Sequence, residues 1–133
     1  MSTKGDVLII DDDPDFCEVV KTTLEAENFA VRCANDGLLG LAMMREKKPD
    51  LVFLDVIMVS PTEGLYVSDE IDDDPDLRQV PVVMVTSITD SKYIGHFPTD
   101  RPLHVDLFLD KPVPLAKLVE LANRFVQQKQ ATA

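Results

Sequence analysis

Acidic side chains directly after short apolar runs are the first candidates for chemistry in this sequence. One run is followed by Asp11 and Asp12, and another ends at Asp55. Thr86 and Lys111 stand in comparable places after two later apolar runs. Carboxylates can act as nucleophiles, and groups of carboxylates bind hard divalent cations through oxygen. A hydroxyl and an ammonium group beside them would suit an anionic substrate such as a phosphoryl group.

The acidic segment itself occurs twice, because the hexapeptide IDDDPD stands at Ile10–Asp15 and again at Ile71–Asp76. The first copy follows an apolar run and precedes a helical pattern, so we expect its carboxylates to face a site. The second copy follows a helical pattern, and the helix dipole disfavours negative charge at a helix C-terminus. We therefore interpret Asp72–Asp76 as a solvated helix end and turn.

Strand-like and helix-like segments alternate along the whole chain and must position these groups. The predicted strands are Val7–Ile10, Phe29–Ala34, Leu51–Asp55, Val80–Thr86 and His104–Asp110. These strands lack polar alternation, which is typical of a parallel sheet that is buried on both faces. Strands that alternate with helices predict a doubly wound α/β fold with a five-stranded parallel sheet.

The helices between these strands carry apolar residues at helical spacing. Asp13 is placed to cap the first helix, and Pro14 suits its first turn. The second helix is predicted within DGLLGLAMMREKK, and Pro49 follows it. The residues of this helix expected near the core are Leu38, Leu41, Ala42 and Met44. A third helix is expected from near Gly64 to about Asp73.

The carboxyl ends of parallel strands meet at one edge of the sheet, where ligands of such folds bind. Asp11, Asp12 and Asp55 converge there when the first and third strands are neighbours. Two carboxylates about 4 Å apart repel by roughly 4 kcal/mol at an effective dielectric near 20. Lys111 supplies one compensating charge and a divalent cation supplies two. Mg²⁺ fits best, because it binds few protein oxygens and keeps several waters.

The composition excludes several classes of function. The chain has 133 residues with a net charge of −11 and a pI of about 4.4. Nucleic acid is therefore not expected as a partner, because its binding needs clustered Lys and Arg. No signal peptide and no membrane-spanning stretch are evident, so we expect a cytoplasmic protein. Cys17 and Cys33 belong to no metal-binding motif and are expected to be buried free thiols.

At these residues the chain resembles the receiver domains of two-component response regulators. The matching stretches are VLIIDDDPDF, PDLVFLDVIM, PVVMVTS and LFLDKPV, in that order. The resemblance covers residues 4–128 and implies one receiver domain, with no output domain. It also implies a flavodoxin-like sheet with strand order 2-1-3-4-5, in which the first and third strands are neighbours.

The resemblance implies a role for each acidic residue at the sheet edge. Asp55 corresponds to the phosphoacceptor. Asp12 would bind Mg²⁺ directly, and Asp11 would bind it mainly through water. The backbone carbonyl of Ile57 would be a further metal ligand. The loop after Asp55 departs from the family pattern, because DVIMVSPTEG delays the usual proline and adds one residue before the glycine.

Three later residues also gain roles from the resemblance. Thr86 and Lys111 would contact the phosphoryl group. Phe108 corresponds to the aromatic switch position of the fifth strand, and Thr86 would be the other switch residue. The segment between the fourth and fifth strands departs from the family, because it contains Gly95, two prolines and little apolar periodicity. We expect at most a short helix there.

The function implied is a bacterial signalling receiver that takes a phosphoryl group on Asp55 in a Mg²⁺-dependent reaction. The donor would be a sensor histidine kinase or a phosphotransfer protein, and the output would be docking to a downstream protein. No enzymatic activity is expected beyond its own phosphorylation and dephosphorylation. Two alternatives stay open: a pseudo-receiver that binds partners without phosphorylation, and a phosphatase of the haloacid dehalogenase type that would use Asp11 and Asp13.

Overall fold

The computed structural model describes residues 4–55, 67, 69–86, 107–110 and 114–131, with backbone only at Thr86, 107–110 and 127–131. Five strands are present: β1 (Asp6–Ile10), β2 (Ala30–Ala34), β3 (Leu51–Leu54), β4 (Val82–Thr86) and β5 (Leu107–Asp110). All their pairings are parallel, and the order across the sheet is β2-β1-β3-β4-β5. The α/β class and the parallel sheet predicted from the sequence are confirmed.

Within the described residues, helices lie on both faces of the sheet. They are α1 (Pro14–Ala26), α2 (Gly37–Glu46), the helical residues 67 and 69–73, here called α3, and α4 (Leu115–Ala131). A short 3-10 helix, Leu77–Gln79, precedes β4. Within the described part of the chain, no helix is long and apolar enough to cross a membrane.

Alternate residues of β1 point into two separate cores. Val7 and Ile9 belong to a cluster that includes residues of α1 and α4, whereas Leu8 and Ile10 belong to one with residues of α2 and α3. Because both faces are covered, the strands need no polar side, and all five residues of β1 are buried. Asp6 is the only charged residue of β1, and its buried carboxylate lies 3.2 Å from Arg32 of β2 and 3.3 Å from Lys47, the C-cap of α2.

Helix α1 begins as the sequence predicts. Asp13 is its N-cap, Pro14 is its first residue, and the Asp13 carboxylate accepts hydrogen bonds from the backbone N–H groups of Asp15 and Phe16. The cap holds the segment between β1 and α1 in one conformation. This segment contains the first copy of the repeated acidic hexapeptide, so the cap also fixes the backbone on which Asp11 and Asp12 stand.

The core-facing side of α2 differs from the prediction. Leu41 and Met44 are buried as expected, but Leu38 is 66% exposed and Ala42 is also exposed. Gly40 occupies the contact with β1 instead, because a side chain on it would meet Ile10. The helix therefore turns its glycine face, rather than its leucine-rich face, toward the sheet. Periodicity of apolar residues misjudged the face because it ignores a glycine that allows close approach.

Candidate functional site

The C-terminal ends of β1 and β3 are neighbours, and both lead into acidic residues. Ile10 pairs with Leu54 in the sheet. One residue further on, the backbone N–H of Asp55 donates to the Ile10 carbonyl at 2.9 Å, and that of Asp11 donates to Ala34 of β2 at 3.0 Å. The hydrogen-bond ladder thus extends beyond the strands and fixes Asp11 and Asp55 side by side.

The carboxylates of Asp11, Asp12 and Asp55 come together at this edge. One carboxylate oxygen of each lies within 4.8 Å of the other two. Asp11 and Asp55 are 2% and 5% exposed, whereas Asp12 is exposed. Like charges at such separation disfavour each other, and burial of two of them increases the cost. Three oxygen donors with one side open to water fit a hard dication that keeps part of its hydration shell.

The Asp11 side chain also supports the local backbone. Its Oδ1 accepts a hydrogen bond from the backbone N–H of Asp13 at 2.9 Å. This bond orients the Asp11 carboxylate at the end of β1. Asp13 itself is engaged as the α1 cap, so its carboxylate belongs to the helix terminus. The carboxylates of Asp11 and Asp13 therefore have different structural surroundings.

The remaining site residues from the sequence are described only in part. Thr86 is the last residue of β4, and Phe108 lies in β5 opposite Met84. Since Leu54 pairs with Met84, Thr86 lies two residues beyond that row and Asp55 one residue beyond it. The backbone thus places Thr86 at the same edge of the sheet as the acidic cluster. Ile57 and Lys111 lie outside the described residues, so their roles stay predictions.

The second copy of the hexapeptide lies away from this edge. Residues 69–73 are helical and are followed by a turn. The Asp74 carboxylate accepts from the backbone N–H groups of Asp76 at 2.9 Å and Leu77 at 3.4 Å, and also lies 3.9 Å from Arg45. Asp72 and Asp73 are exposed. The helix end and turn expected from the sequence are therefore what this copy forms.

Two thiols adjoin the cluster, and sequence reasoning did not connect them with it. The Cys17 thiol donates to the backbone carbonyl of Asp11 at 3.4 Å, and the Cys33 thiol donates to that of Cys17 at 3.7 Å. Cys17 is buried as predicted, but Cys33 is only half-buried. Both line a cavity of about 590 Å³ between α1, β2 and the start of α2. Their spacing in the sequence matches no motif. They come together because α1 packs on β2.

Comparisons with known proteins agree with this geometry. The model of the response regulator receiver domain family matches residues 7–123. The DNA-binding dual master transcriptional regulator RpaA of Synechocystis is 35% identical over 82 residues, 62% of this chain and 34% of RpaA. This chain thus spans about a third of the length of RpaA. The polar-differentiation response regulator DivK of Brucella anthropi is 26% identical over 90% of this chain and 94% of DivK.

A solved structure gives the same result for the fold. The signal receiver domain of a signal transduction histidine kinase from Syntrophus aciditrophicus has a TM-score of 0.79 at 26% identity, and the match covers 93% of this chain and 91% of that one. The family match extends over both strands that carry the acidic cluster. From the family match, the relatives and the sheet together, the chain belongs to the response regulator receiver domain family of two-component systems.

Proposed function

We propose that this receiver accepts a phosphoryl group on Asp55 and that Asp11, Asp12 and Asp55 hold Mg²⁺ for the reaction. The observation that carries the proposal is the approach of three carboxylate oxygens, one from each residue, to within 4.8 Å at the edge of the sheet. The backbone carbonyl of Ile57 would add a ligand. Bound Mg²⁺ supplies positive charge that neutralises oxygens of the incoming phosphoryl group.

The transfer itself uses the Asp55 side chain. A carboxylate oxygen of Asp55 attacks the phosphorus of a phosphohistidine on a sensor kinase or phosphotransfer protein. The phosphorus–nitrogen bond breaks, and the imidazole nitrogen leaves with the electron pair. Lys111 would place its ammonium group, and Thr86 its hydroxyl, on the equatorial phosphoryl oxygens. The backbone hydrogen bond from Asp55 to Ile10 supports this role, because it holds the nucleophile in place during attack.

Signalling would follow through protein–protein contact. Thr86 and Phe108 lie on the adjacent strands β4 and β5, so a Thr86 that moves toward a phosphoryl group can affect the neighbouring strand. The net charge of −11 favours a partner with a basic surface over nucleic acid. We expect no catalytic activity on other substrates, and we expect the protein to act in the cytoplasm.

One experiment tests the proposal directly. The full chain is incubated with acetyl phosphate and Mg²⁺, and its intact mass is measured. We expect the mass to rise by one phosphoryl group, only with Mg²⁺ present, and not in Asp55→Asn. A wild-type chain that gains no mass would contradict the proposal and favour a pseudo-receiver. Equal gain in Asp55→Asn would place the phosphoryl group elsewhere.

The phosphatase alternative is disfavoured by the position of Asp13. In such a phosphatase, Asp11 would be the nucleophile and Asp13 the general acid. The Asp13 carboxylate instead accepts two backbone hydrogen bonds at the start of α1, so it is engaged as the cap of the helix. A turnover assay on phosphomonoesters distinguishes the two, because a receiver should release no more than stoichiometric phosphate.

A further inference from the structure

Cys17 in α1 and Cys33 in β2 are close enough to react with each other. The Sγ of Cys33 lies 3.7 Å from the carbonyl oxygen of Cys17. Since that oxygen is about 2.4 Å from its own Cα, the Cys33 sulfur is about 6 Å or less from the Cys17 Cα. Both cysteines also line the same cavity. A separation of this size is compatible with a disulfide between the helix and the neighbouring strand.

The two thiols differ in reactivity. The hydrogen bond with Cys17 lowers the pKa of Cys33, and the nearby ammonium of Lys21 lowers it further, against the opposing effect of burial. Thiolate rather than thiol is the nucleophile toward oxidants. Cys33 is therefore the residue that reacts first, and Cys17 is placed to react second.

Cys33 is also the more accessible of the two cysteines. Cys33 is half-buried and lines a cavity of about 590 Å³, whose other walls include the exposed residues Lys21 and Glu25. A small oxidant can reach Cys33 through this cavity. Cys17 is only 7% exposed. Its burial is no obstacle to the second step, because that step is intramolecular and needs only Cys33.

We propose that Cys17 and Cys33 form an oxidation site that a peroxide converts to an intramolecular disulfide. The Cys33 thiolate attacks one peroxide oxygen, the oxygen–oxygen bond breaks, and a sulfenic acid and hydroxide form. The Cys17 sulfur then attacks the Cys33 sulfur, and the sulfur–oxygen bond breaks. The departing hydroxide takes up the Cys17 proton. In sum, two thiols and one hydrogen peroxide give one disulfide and two waters, and a dithiol reverses the change.

The disulfide would alter the surroundings of the acidic cluster. It contains no S–H group, so oxidation removes the donor that Cys17 offers to the Asp11 carbonyl. It also links α1 covalently to β2, next to the residues between β1 and α1. The backbone segment Asp11–Cys17 thus carries one of the two cysteines and two residues of the acidic cluster. The oxidation site itself does not depend on phosphoryl transfer and is tested without it.

The test uses the full chain, reduced and then freed of reductant. The protein is treated with hydrogen peroxide, remaining thiols are alkylated under denaturing conditions, and the intact mass is measured. We expect a monomer lighter by two hydrogen atoms that takes up no alkylating agent and regains two reactive thiols after reduction. A peptide map should contain the cross-link between Cys17 and Cys33. Cysteine oxygen adducts, cross-linked dimers or two unreacted thiols in the wild type would each overturn the proposal.

Single variants test the order of the two steps. In Cys17→Ser the reaction should stop at the Cys33 sulfenic acid, which a cyclic dione traps as one adduct. In Cys33→Ser the remaining thiol should react about tenfold or more slowly, because Cys17 is buried and a peroxide reaches it poorly. Equal rates for the two variants, each checked for folding by circular dichroism, would overturn the assignment of Cys33 as the first nucleophile.

Discussion

Asp13 has the same local role as Asp74, although the two stand in different copies of the hexapeptide. Each carboxylate accepts hydrogen bonds from the backbone N–H groups two and three residues later. An aspartate before Pro-Asp readily forms this turn, so the repeat encodes a turn rather than two cation sites. The function differs because only the first copy follows a strand whose end adjoins Asp55.

Removal of the Asp13 cap should destabilise the protein without loss of the acidic cluster's charges. Asp13→Ala leaves the N–H groups of Asp15 and Phe16 without their carboxylate partner, which typically costs about 1 kcal/mol. We expect the Tm to fall by roughly 4 °C. Asp13→Ser is the matched control, because serine also caps, and its Tm should stay near that of the wild type. Equal losses in the two variants would contradict a capping role.

Asp12 should contribute to Mg²⁺ affinity, whereas Asp73 should not. Asp12 offers a ligand oxygen within 4.8 Å of those of Asp11 and Asp55. Asp12→Asn removes one negative charge beside a dication, and we expect affinity to fall about tenfold or more. Asp73→Asn makes the same change of charge on an exposed residue of the second copy and should alter affinity little. Calorimetric titration measures both, and equal losses would refute the location of the site.

At the residue scale, the sequence alone predicts the position of those site residues that directly follow a strand. Asp11, Asp12 and Asp55 follow directly from strands, so parallel pairing brings them together once neighbouring strands are known. The contact between Cys17 and Cys33 could not be predicted in this way. It depends on how α1 rotates on the sheet, and neither residue has a partner at a characteristic spacing.

The position of α2 depends on one glycine. A Cβ on Gly40 would lie 2.5 Å from Cδ1 and 2.7 Å from Cγ1 of Ile10, closer than such atoms ever pack. Ile10 is fully buried in β1 and directly precedes the acidic segment. The helix therefore approaches the strand more closely than a side chain would permit. This explains why α2 exposes Leu38, which apolar spacing alone predicts to lie near the core.

Gly40→Ala should destabilise the protein even though alanine favours helices. The gain in helix propensity is about 1 kcal/mol, but overpacking against the fully buried Ile10 typically costs roughly 1–3 kcal/mol. We expect a net loss in the free energy of unfolding, measured by urea denaturation.

A double variant gives the control for this contact. Ile10→Val removes Cδ1, the nearest atom, so Gly40→Ala should cost less in that background than in the wild type. Additive effects, or a Gly40→Ala variant that is more stable than the wild type, would show that α2 is not held by this contact.

Strands were predicted better than helix faces, for a physical reason. Strands buried on both faces appear as continuous apolar runs, and β1, β3 and β4 begin and end within two residues of the expected bounds. A helix has one buried face, whose direction depends on the shape of its contact with the sheet. The 3-10 helix Leu77–Gln79 was also not predicted, because it is a single turn that Asp74 initiates.

At the scale of the whole molecule, negative charge opposes folding and a bound dication should relieve it. The chain has a net charge of −11, and three carboxylates lie together with two of them buried. Folding creates this cluster, because Asp55 is far from Asp11 along the sequence. A cation that binds the folded cluster but not the unfolded chain stabilises the fold by mass action.

Mg²⁺ should therefore raise the Tm in a way that depends on Asp12. At a concentration about 100 times the dissociation constant, the linkage amounts to about 2.7 kcal/mol, which for a domain of this size corresponds to roughly 10 °C. Thermal unfolding followed by circular dichroism measures the shift. NaCl at the same ionic strength screens the general repulsion but offers no dication, so it should raise the Tm less. In Asp12→Asn the response to Mg²⁺ should shrink toward that of NaCl. If Mg²⁺ shifted the wild type and Asp12→Asn equally, the stabilisation would come from general screening, and the acidic cluster would not be the binding site.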